Sequence, residues 1–379
     1  MQVSSDSNKV YVNWGDAESK FHNIWLRDVC QCKDHFHPGT RQRLQNTFEI
    51  PEDVHAKSVE IVDDAVKVTW AHDGHVSTYP LDWLKLHSYD PVLVQTKNKD
   101  LELSLWEGKD IQNNLPTVKF EDVMASDKGV AEWTKKLYEN GFCMISGTPA
   151  DPESTEKLVE RLAYVRPTHY GGFWDFTADL AKADLAYTNF HLACHTDGTY
   201  WSDTPGLQLF HLLHHDGEGG ETMLADGFKA AETLRKNYPE HYEFLSNIRV
   251  PAHSAGEQDV CILPTAPQPV FTHHPQTGKL VQVRWNNDDR STMDNWENPE
   301  DVVKFYKAIR VWRKILEENE FVLKLVPGTC LIFDNWRVLH GRKAFNGSRR
   351  MCGAYVNRDD YVSRAKLLNL GRDEVLKPL

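Results

Sequence analysis

One short stretch of the sequence, HLACHTDGTY, places a histidine and an aspartate at positions i and i+2, namely His195 and Asp197. Side chains at positions i and i+2 of a strand point to the same face, so this pair can bind one metal ion. The pattern alone is weak, because a chain with 18 histidines and 55 acidic residues also contains such pairs by chance. A metal site therefore needs a further donor from elsewhere in the chain.

His340 is the candidate third donor, at the end of the polar and aromatic loop DNWRVLH. The strand-like run TCLIF, after a Pro327–Gly328 turn, leads into this loop, so His340 can reach the mouth of a two-sheet roll. Two histidines and one carboxylate on one face leave coordination positions open, as in non-haem Fe(II) oxygenases. We therefore predict that His195, Asp197 and His340 are catalytic ligands of Fe(II).

Two further residues could bind an acidic co-substrate beside this metal. Arg349, in SRRMCGAYV, presents a planar guanidinium that can pair with a carboxylate through two hydrogen bonds, which suits the distal carboxylate of 2-oxoglutarate. Thr222, at the start of TMLAD, can add a hydroxyl hydrogen bond to the same group. Taken singly, Arg349 could be a surface charge next to Arg350. Combined with the three metal donors, it predicts a 2-oxoglutarate site.

A second candidate metal site lies near the start of the chain, in CQCKDH. Its potential zinc ligands are Cys30, Cys32, His35 and His75. Two cysteines and two histidines form a known closed zinc set, and such a site stabilises a small β domain. The spacing is not that of a standard zinc finger. His37 and His72 are alternative ligands, and the cysteines could also carry no metal.

Hydrophobic patterning predicts the elements that must position these residues. Short alternating runs such as SVEIV and AVKVTW predict a small β-rich, zinc-binding domain over 1–95, with Asp73–Gly74 in a hairpin turn. A polar connecting segment, 96–116, leads to the catalytic domain, 117–379. Its many strand-like runs predict a mainly β domain with some α: a double-stranded β-helix, or jelly roll, buttressed by helices.

Capping residues delimit two of the helices in this larger domain. The run SDKGVAEWTKKLYENG has Ser126 or Asp127 as its N-cap and Gly141 at its end. The run NPEDVVKFYKAIRVWRKILEENE has Asn298 as its N-cap and Pro299 at the first helical position. Both runs therefore predict amphipathic helices that cover the sheets.

Composition narrows the function classes. A net charge of −12 and a pI near 5.8 argue against nucleic acid and against an anionic membrane surface. Seven cysteines, an odd number, favour a reducing compartment over a disulfide scaffold. The first ten residues resemble neither a secretory signal nor an Arg-rich transit peptide, so we expect a cytoplasmic or mitochondrial-matrix protein.

Longer motifs connect the two candidate sites to a known family. The motifs WLRDVC, HTD, FDNWRVLHGR and R-x-x-x-GAY together resemble the γ-butyrobetaine and trimethyllysine hydroxylase family of Fe(II)/2-oxoglutarate dioxygenases, over nearly the whole chain. The resemblance implies a hydroxylation that consumes O₂ and 2-oxoglutarate and releases succinate and CO₂, with support from ascorbate, in a homodimer. It also implies a zinc site of three cysteines and a histidine, in which His35 here replaces the third cysteine.

The resemblance further implies where the substrate binds. Substrates of the family carry a quaternary ammonium group, which cannot donate a hydrogen bond and is bound by aromatic faces and diffuse negative charge. The residues that match the family's aromatic cage are Tyr170, Trp174 and Tyr187, with Tyr355 as a fourth wall. Because 11% of the chain is aromatic, these residues could alternatively pack in the core.

Residues at three positions indicate which of the family's two substrates this protein binds. Asp184 matches an amide of the butyrobetaine enzymes and can bind the α-ammonium of trimethyllysine, although it could also be solvated or paired with Lys182. Asn286 can bind the carboxylate, and Gly198 matches a tyrosine of the butyrobetaine enzymes. Together they favour C3-hydroxylation of trimethyllysine, the first step of carnitine biosynthesis. The alternatives are γ-butyrobetaine hydroxylation and, in a different class, a non-catalytic β-roll that binds metal, which would not need Arg349.

Overall fold

Two units make up the chain in the computed structural model, which describes residues 1–95, 97, 99–177, 185 and 188–377. The N-terminal unit comprises Met1–Asp100 together with Gly371–Leu379, and the main unit comprises Leu101–Leu370. None of the helices in the described part of the chain is long and apolar enough to cross a bilayer.

Short strands dominate the N-terminal unit. Its elements are β1 (Gln2–Ser5), β2 (Lys9–Asn13), β3 (Glu18–His22), α1 (Asn23–Asp28), β4 (Phe36–His37), β5 (Gln42–Arg43), β6 (Ala56–Val62), β7 (Ala65–Trp70), β8 (Val76–Pro80) and α2 (Leu81–Leu86). A 3₁₀ turn, Thr47–Glu49, lies between β5 and β6. The strands form two antiparallel three-stranded sheets, β1-β2-β3 and β6-β7-β8, and the β4-β5 hairpin.

Alternation along β7 explains how this unit forms its core. Val66, Val68 and Trp70 are buried and alternate with partly exposed residues, which is the period of two that AVKVTW predicts. They pack against residues of the first sheet, including Phe21, in one hydrophobic cluster. The Asp73–Gly74 turn joins β7 to the antiparallel β8, so the predicted hairpin is confirmed.

The main unit mixes longer helices with two larger sheets. Its elements are α3 (Gly108–Ile111), β9 (Thr117–Lys119), α4 (Phe120–Ala125), α5 (Asp127–Asn140), β10 (Phe142–Ser146), α6 (Pro152–Leu162), β11 (Trp174–Thr177), β12 (Leu192–His195), β13 (Leu207–His215), β14 (Thr222–Asp226), α7 (Gly227–Asn237), α8 (Pro239–Asn247), β15 (Phe271–His273), β16 (Leu280–Val283), α9 (Asp301–Glu318), β17 (Phe321–Leu323), β18 (Thr329–Asp334), β19 (Val338–Arg342), β20 (Arg349–Val356) and α10 (Arg358–Leu370). The last helix, α11 (Arg372–Leu376), belongs to the N-terminal unit.

Capping explains one predicted helix start and corrects the other. The Ser126 hydroxyl accepts the Gly129 N–H at 3.3 Å, and the left-handed Gly141 ends α5, both as predicted. The prediction of Asn298 as the N-cap of α9 was wrong, because the helix begins only at Asp301. The Asp301 N–H bonds to the Asn298 carbonyl three residues back, so this segment is a turn that precedes the helix.

Two sheets of the main unit face each other. One has the order β11-β20-β13-β18-β10-β9, and the other has the order β12-β19-β14-β17. Phe142, Phe333 and Met351 of the first sheet share a buried cluster with Leu224 and Val338 of the second. Of the candidate metal ligands, His195 and His340 therefore lie on paired strands of this two-sheet arrangement, and Asp197 lies in the turn directly after β12.

Helices cover the outer face of each sheet. In β10, Cys143 and Ile145 point to the cluster formed with α5 and α6, whereas their neighbours point to the core between the sheets. On the other side, Trp312 of α9 packs with Leu245 of α8 and with Leu339 of β19. Both sheets are thus buried on two faces, which accounts for apolar runs such as FCMIS that do not alternate.

Candidate active site

The structure brings the three predicted iron ligands together at the end of the four-stranded sheet. Strands β12 and β19 pair antiparallel and place His195 directly opposite His340. The Nε2 atoms of His195 and His340 lie 3.1 and 3.7 Å from Oδ1 of Asp197. One donor atom from each residue lies within 4.8 Å of the others. Three donors at these separations fit a single metal ion.

Hydrogen bonds outside the triad orient the His195 ring and hold the backbone of Asp197. Nδ1 of His195 donates to the Ala193 carbonyl at 2.8 Å, which leaves the lone pair on Nε2 for a metal. The Asp197 N–H donates to Oδ1 of Asn335 at 2.8 Å, and the Asn335 amide donates back to the Asp197 carbonyl at 3.0 Å. Asn335 therefore joins the turn after β12 to the loop before β19.

Burial and mutual charge set the protonation of the triad. Burial would lower the pKa of His195, but the hydrogen bond to Asp197, the charge of Asp197 and the bond to the Ala193 carbonyl together raise it to about 9. Burial would raise the pKa of Asp197, but the charge of His340 and the hydrogen bond from His195 lower it. Burial lowers the pKa of His340 to about 3, so its imidazole is neutral at pH 7. A divalent ion would take the place of the proton on His195.

A tyrosine controls the second oxygen of the acidic ligand. The Tyr355 hydroxyl donates to Oδ2 of Asp197 at 2.6 Å, and the Gln208 amide donates to the same hydroxyl at 3.4 Å. The sequence predicts Tyr355 only as an aromatic wall, and nothing in it indicates this bond. Because Oδ2 is occupied, Asp197 presents Oδ1 alone to the two histidines.

We expect Tyr355→Phe to weaken metal binding by about 10- to 100-fold, the usual effect of losing an outer-shell partner of a ligand. The measurement is the equilibrium dissociation constant of Mn(II) for the purified protein. Tyr361→Phe is the matched control, because Tyr361 is buried and its hydroxyl has no hydrogen-bond partner among the described residues. Equal Mn(II) affinity in both variants would show that the Tyr355 bond does not position the ligand.

Gly198 immediately follows the acidic ligand and cannot carry a side chain. Its φ is +71°, and a Cβ atom there would lie 2.3 Å from Cε3 of Trp201 and 2.9 Å from Cδ of Pro205. The backbone conformation and the close packing at this position therefore explain why residue 198 is a glycine. It permits the turn that brings Asp197 back towards the two histidines.

Two buried arginines line the cavity next to the triad. Arg349 is 7% exposed, and burial and the charge of Arg342 lower its pKa to about 10, so it stays protonated at pH 7. Arg342 donates to the carbonyls of Thr188 and Phe190 at 2.6 and 3.0 Å. Among the described residues, Arg349 has only a cation–π contact with Phe345, at 5.5 Å, and no acidic partner. A buried guanidinium without a counter-charge requires an anion.

Thr222 and Arg342 are cross-strand neighbours, in β14 and β19. Thr222 is buried and lines the same cavity as Arg349. The structure therefore brings together both residues that the sequence predicts for an acidic co-substrate, and it adds Arg342. The signal for Arg342 was present, because it stands two residues after His340 and so points to the same face of the strand.

A cavity of about 430 Å³ contains the triad and three of the predicted cage residues. Tyr170, Trp174 and Tyr355 line it, and the rings of Trp174 and Tyr355 meet edge to face at 5.6 Å. The Tyr170 hydroxyl bonds to the Tyr200 hydroxyl at 2.9 Å, so Tyr200 adds a wall that the sequence did not predict. An aromatic cavity of this size can hold a small organic cation.

The remaining predicted substrate residues divide into two groups. Asn286 lines the cavity and donates to Oδ2 of Asp289 at 2.8 Å. Tyr187 and Asp184 lie outside the described residues. Asp289, which also lines the cavity, was missed because it stands among several charged residues in NNDDR.

A fully buried ion pair holds the FDNWR loop behind the site. Arg337 donates from Nε and Nη2 to Asp226 at 3.2 and 2.8 Å, and both side chains are at most 1% exposed. Arg337 also donates to the carbonyls of Ser104 and Glu139, and Asp226 caps α7 through the Phe228 N–H. The loop that presents His340 is thus anchored to three separate segments of the main unit.

In the N-terminal unit, the structure brings together the four predicted zinc ligands. Cys32 Sγ lies 3.3 Å from Nδ1 of His35, and Cys30 Sγ lies 3.5 Å from Nε2 of His75. Donor atoms of all four residues lie within 4.8 Å of one another. Burial and the charge of Arg27 lower the pKa of both histidines, which favours the neutral, metal-binding imidazole. The donor set therefore fits a tetrahedral zinc ion.

Arg27, in the WLRD motif, supports this cluster. Its guanidinium is 4% exposed and pairs with Oδ2 of Asp73 at 3.0 Å, while Oδ1 of Asp73 accepts the His75 N–H at 2.9 Å. The alternative ligands are engaged elsewhere: His37 accepts the Thr40 N–H, and His72 lies 3.2 Å from Asp73. Neither alternative belongs to a metal-competent group within the described part of the chain.

Comparison with known proteins agrees with this geometry. The model of the taurine catabolism dioxygenase TauD, TfdA family matches residues 102–355, and the γ-butyrobetaine hydroxylase-like N-terminal model matches residues 1–85. The chain therefore belongs to the TauD/TfdA family of dioxygenases, in the group that contains the trimethyllysine and γ-butyrobetaine enzymes.

Three relatives locate the chain within this group. It is 52% identical to trimethyllysine dioxygenase of Meyerozyma guilliermondii, over 99% of this chain and 97% of the relative. It is 35% identical to mitochondrial trimethyllysine dioxygenase of Homo sapiens, over 95% of this chain and 85% of the relative. Identity to human γ-butyrobetaine dioxygenase is 30%, over 94% of this chain and 92% of the relative. The chain is thus more similar to the trimethyllysine enzymes.

Proposed function

We propose that this dioxygenase hydroxylates C3 of N6,N6,N6-trimethyllysine, the first step of carnitine biosynthesis, and converts 2-oxoglutarate and O₂ to succinate and CO₂. The observation that carries the proposal is the content of one cavity. It combines a two-histidine, one-carboxylate donor set with aromatic walls and with a buried arginine that has no acidic partner in the described part of the chain. Each feature fits one reactant of such a hydroxylation.

In this proposal His195, Asp197 and His340 hold Fe(II), which with 2-oxoglutarate supplies the O₂ activation that C–H hydroxylation requires. Arg349 binds the distal carboxylate of 2-oxoglutarate through its planar guanidinium, and Thr222 donates to the same carboxylate. The low exposure of Arg349 strengthens this pair, because little water competes for it.

The aromatic walls are proposed to bind the trimethylammonium group. Tyr170, Trp174 and Tyr355 present faces or edges to the cavity, and we keep Tyr187 as a further member of the cage. Gripping the substrate at its cationic end and at its amino-acid end holds C3 near the metal. Asn286 is the proposed partner of the α-carboxylate, and Asp184 is kept as a partner of the α-ammonium.

Trimethyllysine is preferred over γ-butyrobetaine for two reasons. The chain is 52% identical to an enzyme named for the first substrate and 30% identical to one named for the second. In addition, Gly198 leaves no room for a side chain at a position that is a tyrosine in the butyrobetaine enzymes.

A substrate panel tests the proposal. The purified protein is incubated anaerobically with Fe(II), 2-oxoglutarate, ascorbate and either trimethyllysine or γ-butyrobetaine, and O₂ is then admitted. Mass spectrometry should find hydroxytrimethyllysine and an equal amount of succinate, with much less carnitine. Carnitine as the main product would favour the alternative substrate, and no succinate with any substrate would favour a non-catalytic binding protein.

For the N-terminal unit we propose a structural zinc site formed by Cys30, Cys32, His35 and His75. Its support is the convergence of four donors from a loop and a later strand, with Arg27 and Asp73 fixing the histidine loop. A zinc ion would join these short strands, whose own core is small.

Removal of one zinc ligand should empty this site. We expect about one zinc per chain in the parent protein and close to none in Cys32→Ala, because three remaining donors bind a structural ion far more weakly. Zinc is counted by plasma mass spectrometry. All variants carry His195→Ala, so that the triad does not contribute, and Cys261→Ala is the control, since that cysteine is exposed. Undiminished zinc in Cys32→Ala would contradict the assignment.

Several features follow from the family and complete the proposal. We infer that the facing sheets of the main unit form a double-stranded β-helix and that the enzyme is a homodimer supported by ascorbate. We also infer that the two units are separate domains, for which the sequence predicts the bounds 1–95 and 117–379 with 96–116 between them. Because the human relative is named mitochondrial, we favour the mitochondrial matrix over the cytoplasm. Sedimentation of the purified protein tests the dimer.

A further inference from the structure

Two neighbouring acidic side chains that line the cavity, Asp288 and Asp289, have no role in the function described so far. Asp289 lines the same cavity as the metal ligands and the aromatic walls. It lies in the segment that follows β16, and it is only partly exposed, whereas the neighbouring Asp288 is exposed. Any cationic part of a ligand bound in this cavity would meet this carboxylate.

Hydrogen bonds from Asn286 and Thr199 help to fix the Asp289 carboxylate. Its Oδ2 accepts the Asn286 amide at 2.8 Å and the Thr199 hydroxyl at 3.4 Å. The orientation of the Asn286 amide is fixed as well, because its Oδ1 accepts the Asp288 backbone N–H at 2.9 Å. The Asn286 nitrogen therefore faces Asp289 with one N–H and keeps a second N–H for another acceptor.

The position of this segment is tied to the metal site. The Thr196 N–H donates to the Trp285 carbonyl at 2.7 Å, and the Trp285 N–H donates to the Thr196 hydroxyl at 2.9 Å. Thr196 lies between the first two metal ligands in the chain. Together with the bond from Thr199, these contacts hold Asp289 at a set place relative to Asp197.

We infer that Asp289 and Asn286 together form the receptor for the α-amino-acid group of the substrate. The α-ammonium group has only donors, which the Asp289 carboxylate accepts, and the α-carboxylate has only acceptors, which the second Asn286 N–H satisfies. This inference rests on the proposed function, because it takes trimethyllysine as the substrate. It makes Asp289 a specificity residue that selects against a substrate without an α-ammonium group.

The sequence assigns the α-ammonium to Asp184, which lies outside the described residues. An ammonium group has three N–H donors and can bind two carboxylates, so both assignments can hold together. The test therefore includes Asp184→Asn as a separate arm, and the role of Asp289 does not depend on its outcome.

The test compares two substrates in two proteins. Trimethyllysine and 6-(trimethylammonio)hexanoate, which differ only in the α-amino group, are turned over by the parent enzyme and by Asp289→Asn. We expect the parent to prefer trimethyllysine by about 10- to 100-fold in kcat/KM, the usual range for a hydrogen bond between charged groups. In Asp289→Asn that preference should fall to about twofold or less, with turnover of the deaminated substrate retained.

Control variants show whether a change in substrate preference is specific to Asp289. Asp294→Asn changes an exposed acid of the same segment that is not part of the cavity lining, and it should keep the parental preference. Asp289→Glu, which retains the charge, should restore part of the preference. An undiminished preference in Asp289→Asn, or equal losses with both substrates, would overturn the inference. Failure of the parent enzyme to hydroxylate trimethyllysine at all would instead overturn the proposed function.

Discussion

Replacing His195 with alanine is expected to abolish succinate formation with every substrate. The substitution removes one of three donors that lie within 4.8 Å of one another, and the remaining two cannot hold Fe(II) in the same geometry. The loss should exceed the roughly 10- to 100-fold that follows from losing an outer-shell partner. Succinate release under Fe(II) and 2-oxoglutarate is the measurement.

A neighbouring histidine provides the control for this substitution. His191 directly precedes β12 and is exposed. It is not one of the three candidate ligands, so His191→Ala should keep parental activity. Succinate production by His195→Ala near the parental rate would remove His195 from the ligand set.

Replacing Arg349 with glutamine should raise the KM for 2-oxoglutarate by about 30-fold or more. Truncating one member of a buried, hydrogen-bonded charge pair costs about 2–5 kcal/mol, and each 1.4 kcal/mol corresponds to about tenfold in affinity. Glutamine keeps some hydrogen-bonding capacity but no charge, and the carboxylate of the co-substrate would then be buried without a cation. The KM is measured from succinate release at saturating trimethyllysine.

Arg350 separates this effect from a general loss of positive charge. It is the next residue in β20, but it points outwards and pairs with Asp175 at 2.8 Å. Arg350→Gln should therefore leave the KM for 2-oxoglutarate within about twofold of the parental value, the range of ordinary surface substitutions. An equal rise in both variants would show that Arg349 does not bind the co-substrate directly.

The candidate metal donors could be proposed from the sequence because their residue types and short spacing are typical of a metal site. His195 is the last residue of β12, and Asp197 lies two positions further, in the turn that follows, so their closeness in the chain brings this pair together. His340 follows the strand signal TCLIF. The alternation of side chains along a strand, applied to His340, would have found Arg342, which the sequence reasoning overlooked. The candidate zinc ligands could also be predicted from the sequence. Two of them are cysteines at positions i and i+2 of one loop.

Residues that act through tertiary contacts could not be found in this way. Asn335 and Tyr355 bond to Asp197 from positions 138 and 158 residues away, and no periodicity links such positions. Asp289 stands in a run of polar residues whose exposure depends on how the segment after β16 folds back. These contacts depend on strand order, which the sequence pattern leaves open.

The start of α9 was also predicted incorrectly from local sequence. Asn298 followed by Pro299 is a common sequence at a helix N-terminus. In the structure, however, these residues form a turn, and α9 begins at Asp301. Phe305, Ile309 and Trp312 are buried on one face of α9, so the predicted amphipathic helix is confirmed. Packing of that face on the four-stranded sheet fixes the helix, and the cap adapts to it.

An anaerobic titration with Fe(II) and 2-oxoglutarate shows whether His195, Asp197 and His340 hold one ferrous ion and leave room for a chelating co-substrate. We expect a visible metal-to-ligand charge-transfer band that saturates at about one Fe(II) and one 2-oxoglutarate per chain. The band should be absent in His340→Ala. A band of equal strength in that variant, or no band in the parent protein, would show that these three residues do not form the iron site.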